Sequence, residues 1–389
     1  MFDYAKAINP LVAEVKPSGI RKYFGIAETM PNAISLGVGE PDFITPDHIM
    51  QAGIASLNQG KTQYTANAGL MALRKEIADY QERRFGLSYN PESQVLATVG
   101  GSEAIDLCIR AFLAPGDEVL IPEPCFVCYA PLASITGAKP VTLKTTKADS
   151  FKLTPEALKA AITPCTKMLL LSYPNNPTGA VMTKEELEAL AAVLRGTNII
   201  VVSDEIYAEL TYGFEHTSIA SLPGMWERTV VVSGFSKAFA MTGWRLGYAC
   251  GPSELILYMT RLHQYAMMCA STPAQYAGIE AMKNGADSVR RMREEYNERR
   301  QFLFKRLPEL GFDCFEPQGA FYIFPDVSMY GKDGEDFVER LLQEQELAVV
   351  PGSAFGESGT NHVRISYAYS MAQLQEAVNR IERFVEAHR

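Results

Sequence analysis

The order of apolar and polar segments predicts an α/β domain built on a mainly parallel sheet, followed by a smaller α+β unit. Three short apolar runs in the middle of the chain, KMLLLS (167–172), NIIVVSD (198–204) and RTVVVSG (228–234), carry the first half of this reading. Their length and Val/Ile/Leu content are those of strands buried on both faces. Helical patterns lie between such runs, and strand–helix–strand alternation builds a parallel sheet.

Taken in chain order, the N-terminal segment before TPDHIMQAGIASL (45–57) has no core pattern of its own and is expected to join the C-terminal unit. QVLATVGGSEAIDLCIRAFLAPGDEVLI (94–121) reads as strand, Gly-Gly turn, helix, Pro115-Gly116-Asp117 turn and strand, with Ile105, Cys108, Ile109 and Phe112 sharing one helix face. In TKEELEALAAVLRG (183–196), Thr183 and Glu186 form a capping box, Leu187, Leu190, Ala191 and Leu194 share one face, and Gly196 suits the C-terminal cap. After about residue 285 the character changes. The charged stretch SVRRMREEYNERRQFLFKRL (288–307) reads as a long solvated helix, and GAFYIFPDV (319–327), GEDFVERLLQEQ (334–345), LAVVPGSAF (347–355) and HVRISYAY (362–369) alternate strand and helix. The expected division is a large domain at 46–285 and a small one assembled from 1–45 and 286–389.

Composition excludes several classes of function. A net charge of −9 without any long Lys/Arg run argues against binding of a phosphate backbone, so no nucleic-acid partner is expected. No stretch of eighteen apolar residues suits a membrane span, and MFDYAKAINPLVAEVKP (1–17) lacks the basic start and apolar run of a secretory leader; a cytoplasmic protein is expected. The seven cysteines are odd in number and irregularly spaced, which suits reduced thiols. Cys125 and Cys128 in PCFVC have no second ligand pair, and the five histidines stand apart, so no metal is expected.

In parallel sheets ligands bind beyond the carboxyl ends of the strands. Here those ends deliver YPNNPTG (173–179), DEIY (204–207) and SGFSK (233–237), placing an amide, a carboxylate, a phenol and an amine along one edge. Burial lowers the pKa of a lysine and makes its amine nucleophilic, which singles out Lys237. A carboxylate such as Asp204 can pair with a protonated pyridine nitrogen, the protein partner of pyridoxal phosphate acting as electron sink. For a phosphate, VGGSEA (99–104) supplies close backbone approach and Ser102 at a helix N-terminus, and Arg245 can grip it with two parallel hydrogen bonds. A nicotinamide enzyme would need GxGxxG after a strand, and GGSEAI does not supply it.

The ordered set GEPDF (39–43), YTANAGLMALR (64–74), YPNNPTG, SDEIY (203–207), SGFSKAFAMTGWRLG (233–247) and VRISYAY (363–369) resembles the class I pyridoxal-phosphate aminotransferases of the aspartate-aminotransferase-like fold, fold type I, over almost the whole chain. The resemblance implies a three-layer large domain with a mainly parallel seven-stranded sheet, a homodimer with its active site at the subunit interface, and pyridoxal 5'-phosphate as cofactor. It makes Lys237 the lysine that bonds the cofactor aldehyde and shuttles protons, with Asp204 on the ring nitrogen and Asn176 and Tyr207 on the ring oxygen. Gly101, Ser102, Glu103, Ser236 and Arg245 fall around the phosphate, joined by Tyr64 from the neighbouring subunit. Phe126 falls where an aromatic ring stacks on the cofactor, and Arg364 where the substrate α-carboxylate is gripped, helped by the backbone at Gly39.

Members that prefer acidic substrates often carry an extra Lys or Arg for the second carboxylate, in one subgroup at the position of Ser102. With Ser102 there, and Ile20, Tyr23 and Phe126 expected in the pocket, the implied substrate is an aromatic or other neutral bulky L-amino acid, with 2-oxoglutarate or another 2-oxo acid as acceptor. Aspartate or N-acetyl-diaminopimelate aminotransferases, and a pyridoxal-phosphate C–S β-lyase or aminocyclopropane-type synthase, would use the same cofactor residues. KPSGIRKYF (16–24) is expected to fold over the site as a lid.

Overall fold

A computed structural model gives the fold and describes residues 2–17, 19–20 and 30–388. After a short strand β1 (Ile34–Ser35), the chain builds β2 (Val95–Thr98), β3 (Glu118–Glu123), β4 (Lys139–Lys144), β5 (Thr166–Ser172), β6 (Ile200–Asp204), β7 (Thr229–Gly234) and β8 (Gly247–Cys250). These last seven form one sheet in the order β2-β8-β7-β6-β5-β3-β4. Only β8 runs against the rest, antiparallel to both β2 and β7.

The apolar runs explain why the sheet is a middle layer. In β5, Met168 and Leu170 pack on one side with Val202, Val230 and Val232, while Leu169 and Leu171 pack on the other with Val201. Side chains alternate faces along a strand, so a run without polar residues must be covered twice. Each such side chain contributes about 1.5–3 kcal/mol on burial, which favours the covered arrangement. The helices Gly101–Phe112 and Ser253–Ala266 cover the first face, with Ile105, Cys108, Ile109, Ile256 and Met259 buried. Helix Lys184–Leu194 covers the other, its four expected apolar residues all buried. Its capping box forms with both bonds, and Gly196 takes φ +79°, just past the last turn.

The C-terminal part supplies β9 (Tyr322–Ile323), β10 (Leu347–Ala348), β11 (Val350–Pro351) and β12 (Val363–Ser366). β1 pairs in parallel with β10, and β11, β12 and β9 form an antiparallel sheet. One core holds Leu36 from the N-terminal side together with Tyr296, Leu303, Phe337, Val378 and Phe384. GAFYIFPDV yields only the two paired residues of β9.

The long helix, Ala286–Glu309, differs from the solvated helix read from the sequence. Met292, Tyr296, Leu303 and Leu307 bury one face, and Arg299 and Arg300 lie on that face too. Arg299 pairs with Asp42 at 2.8 Å and lies over the ring of Phe43, while Arg300 donates to Glu316 and to the Pro317 carbonyl at 2.9 and 3.0 Å. A buried arginine is tolerated because its stem is apolar and its head is paired; that pairing is invisible to a count of charges. Among the described residues no helix is long and apolar enough to cross a membrane.

Next to the edge strand β2, β8 passes close against the Gly100–Gly101 turn. A Cβ on Gly247 would stand 2.4 Å from the Gly100 carbonyl carbon and 2.5 Å from the Gly101 nitrogen, both backbone atoms. Gly247→Ala is therefore expected to cost about 1–3 kcal/mol of stability by overpacking. An unchanged denaturation midpoint for this variant would show that the turn can yield.

Candidate active site

The three central strands end at one edge, and each hands its side chain to the same cavity, about 330 Å³ in volume. Beyond β5, Asn175 pins the loop: its amide donates to the carbonyls of Pro124 and Ser172, and its Oδ1 accepts from the N–H and hydroxyl of Thr178. That leaves Asn176 facing the cavity, where its Oδ1 accepts from Arg364 at 2.8 Å. β6 ends on Asp204, with Tyr207 in the turn that follows, and Ser236 and Lys237 follow β7. Arg364 arrives from β12 and Gly39 from the segment after β1. Gly101, Ser102, Phe126 and Arg245 complete the expected residues on the cavity wall, and Ile20 also lines it.

Two expected residues stand elsewhere in the subunit. Tyr64 is 81% exposed and away from this cavity. Glu103 turns its carboxylate inward, to the N–H of Val99 and to His263. Tyr23 lies outside the described residues, as do Ser18, Arg21, Lys22 and Phe24 of the segment expected as a lid. Cys125 and Cys128 are free thiols that burial pushes up, Cys125 to about 12, so neither is a ready thiolate.

The cavity is electrostatically polarised. Burial raises the pKa of Asp204, opposed by the Tyr129 hydroxyl, which donates to Oδ2 at 2.6 Å, and by the Ile206 N–H at 3.2 Å. Burial lowers Lys237 to about 8, with Arg364 and Arg245 pushing the same way and Glu40 and Asp204 opposing. Its Nζ donates to the Gly39 carbonyl at 2.5 Å. Arg364 is 2% exposed, lies between the rings of Tyr322 and Phe355, and keeps a buried Nε without a partner among the described residues. Burial keeps the Tyr207 phenol protonated, and its oxygen lies 2.8 Å from that of Tyr322.

The anion cradle is built by backbone. Gly100 has φ +81°, and a Cβ there would strike the Arg245 guanidinium at 2.6 Å. Helix Gly101–Phe112 starts without a side-chain cap, which leaves its first N–H groups open, and its first two residues line the cavity beside Ser236 and Arg245. A buried carboxylate lacking a cationic partner, a depressed amine, an unpartnered guanidinium nitrogen and an open helix N-terminus fit the ring nitrogen, aldehyde and phosphate of pyridoxal 5'-phosphate and a substrate carboxylate.

Tyr129, Tyr322, Glu40 and Ile105 also line the cavity and were not among the residues expected there. Tyr129 had a signal, since it stands three residues after Phe126 at the start of a helix, Tyr129–Ser134. Tyr322 had none beyond its place in an aromatic stretch that suits a core equally well.

Comparison with known proteins agrees with this geometry. The family model described as aminotransferase class I and II matches residues 31–381. The Bacillus subtilis protein YugH is 53% identical over 378 residues, 97% of this chain and 98% of that one. Aromatic-amino-acid aminotransferase 2 of Thermococcus litoralis is 42% identical over 98% of both chains. The structure of aspartate aminotransferase from Thermus thermophilus with maleate superposes with a TM-score of 0.93 at 40% identity, covering 97% of this chain and 99% of that one. A match that runs nearly end to end, on a cavity of this chemistry, places the chain in the class I and II aminotransferases, as a transaminase that works with pyridoxal 5'-phosphate.

Proposed function

We propose that this transaminase takes amino groups from neutral, bulky L-amino acids, aromatic ones foremost, and passes them to a 2-oxo acid such as 2-oxoglutarate. One observation carries the choice. Among the described residues lining the cavity the cations are Lys237, Arg245 and Arg364, and each has a task at another part of the site. Among the described residues no fourth cation lines the cavity for a second substrate carboxylate, whereas Ile20, Ile105 and Phe126 offer apolar surface and Glu40 adds negative charge. A pocket without a partner for a charged group rejects it, because desolvation goes uncompensated. The names of the relatives span aromatic and aspartate enzymes and do not decide between them.

In this reading the chain's residues divide the work. Bound pyridoxal phosphate supplies an aldehyde for the lysine amine and a ring that draws electrons from the substrate α-carbon. Arg364 holds the α-carboxylate through its free Nε, with Asn176 fixing the guanidinium plane and the Gly39 backbone closing the other side. Lys237 Nζ, brought down to about 8 by burial and two neighbouring arginines and so far closer to a free amine at neutral pH than an ordinary lysine, accepts the α-proton and returns it. Asp204 keeps its negative charge at the ring nitrogen, supported by the Tyr129 hydroxyl. Asn176 and Tyr207 donate toward the ring oxygen, and Phe126 lies against the ring face. Gly101, Ser102, Ser236 and Arg245 hold the phosphate.

Tyr64 enters this scheme from a second copy of the chain. Its exposure is shared by Tyr258, Tyr265, Met267 and Met268, and Asn67 bonds the Met268 carbonyl, drawing the Tyr64 loop and this patch together. Exposed apolar surface of this kind marks an interface. The large unit at 46–285 and the small one from 1–45 and 286–389 then meet at the cavity. Seven unpaired thiols suit a reducing compartment, and we read the enzyme as cytoplasmic.

Acylation of Lys237 in the cofactor-free protein, followed by mass spectrometry, should rise with a midpoint near pH 8; a midpoint at the usual 10.5 contradicts the buried amine. Lys237→Ala should lose at least about 100- to 10,000-fold in transamination. Across a panel of amino acids with 2-oxoglutarate, kcat/KM for phenylalanine and tyrosine should exceed that for aspartate by about tenfold or more, and a preference for aspartate would overturn the substrate assignment. Arg364→Leu should cut every member of the panel. Sedimentation should give a dimer at micromolar concentration, and a monomer there would remove Tyr64 from the site.

A further inference from the structure

Glu103 is the third residue of helix Gly101–Phe112, yet its carboxylate is directed away from the cavity. Oε2 accepts the N–H of Val99, where the chain leaves β2. Oε1 lies 2.6 Å from Nδ1 of His263, on helix Ser253–Ala266. His263 has no exposed surface, and its Nε2 meets no partner among the described residues, so Glu103 is the ring's hydrogen-bond partner there.

A carboxylate in the first turn of a helix is drawn to the free N–H groups of that turn and to the positive end of the helix dipole. In a helix that must bind a phosphate, such a carboxylate competes for the same donors and repels the same ligand. Gly100 provides no side-chain cap, so those donors are open to either anion. In this fold, the His263 bond and the Val99 N–H hold both carboxylate oxygens on the far side of the turn.

We propose that His263 is a positioning residue that holds Glu103 back from the N-terminal donors of helix Gly101–Phe112 and so keeps the phosphate site open. The proposal rests on reading Gly101, Ser102 and Arg245 as the phosphate cradle. It turns Glu103 from a cofactor contact into a restrained competitor, and it makes a buried residue 160 positions away a determinant of phosphate affinity.

The test measures Kd of the cofactor-free protein for pyridoxal 5'-phosphate and for pyridoxal, which lacks the phosphate. His263→Leu should weaken pyridoxal 5'-phosphate about tenfold and leave pyridoxal unchanged. Adding Glu103→Gln should restore affinity to within about threefold of the parent. Should the leucine variant not fold, His263→Phe serves, since its ring fills the site without a donor and should weaken pyridoxal 5'-phosphate in the same way; His263→Asn, whose amide nitrogen can stand where Nδ1 does, should keep the parent affinity, as should Glu103→Gln alone. Equal weakening toward both ligands, a loss that persists in the double variant, or weakened binding by Glu103→Gln alone would each overturn the proposal. Arg245→Gln separates the underlying reading: if it leaves pyridoxal 5'-phosphate affinity intact, the cradle itself is misplaced, whereas a silent His263 series beside a sensitive Arg245 rejects only the restraint.

Discussion

Everything at the site hangs from the register in which β5, β6 and β7 run side by side. Ser172 pairs with Asp204, and Asp204 with Val232, so three strand ends arrive together and release their loops at one edge. The register also decides which of two adjacent carboxylates faces the cavity. Asp204 does, while Glu205, on the opposite side of the pleat, is taken up by the hydroxyls of Ser203 and Ser218 and by His216. A slip of one residue would exchange them, and the cavity would receive a carboxylate with no Tyr129 to hold it.

The same low dielectric acts on the three most deeply buried charged groups in the cavity. Burial pushes Asp204 up and Lys237 and Arg364 down, toward neutrality in each case. Among the described residues the wall carries three cations against Asp204 and Glu40, an excess of positive charge that suits anionic ligands. The partnerships already present are directional. The Tyr129 hydroxyl holds one oxygen of Asp204, and Asn176 fixes one edge of Arg364, so the remaining faces are aimed before any ligand enters.

Much of this was legible in the sequence because strong local signals coincide with chemistry. Unbroken Val/Ile/Leu runs mark β5, β6 and β7, and the polar residues at the end of each run or just beyond it are the ones that reach the cavity. The Thr183–Glu186 capping box and the Gly-Gly turn are equally local. What escaped depends on partners distant in the chain. Tyr129 acquires its role from Asp204, and Tyr322 from Tyr207 and Arg364. Arg299 and Arg300 look solvated until Asp42 and Glu316 are brought against them. Glu103 carries the right spacing for a cofactor contact, and only the burial of His263 shows where its carboxylate goes. The substrate side of the pocket was read from residue types, and its geometry draws on Ile20 near the N-terminus as well as on the sheet.

The pairing of β1 with β10 has a bearing on how the molecule is made. Ile34 leaves the ribosome early and its partner Leu347 over three hundred residues later, at roughly 5–20 residues per second. The sheet between them can collapse on its own alternating core in the meantime, since its strands lie within one continuous stretch of chain. Gly39, Tyr322 and Arg364 cannot take their places until the C-terminal residues are free. The lysine and the aspartate thus belong to the stretch of chain that is made first and carries its own core, and Arg364 to the stretch that is made last and closes the cavity over them.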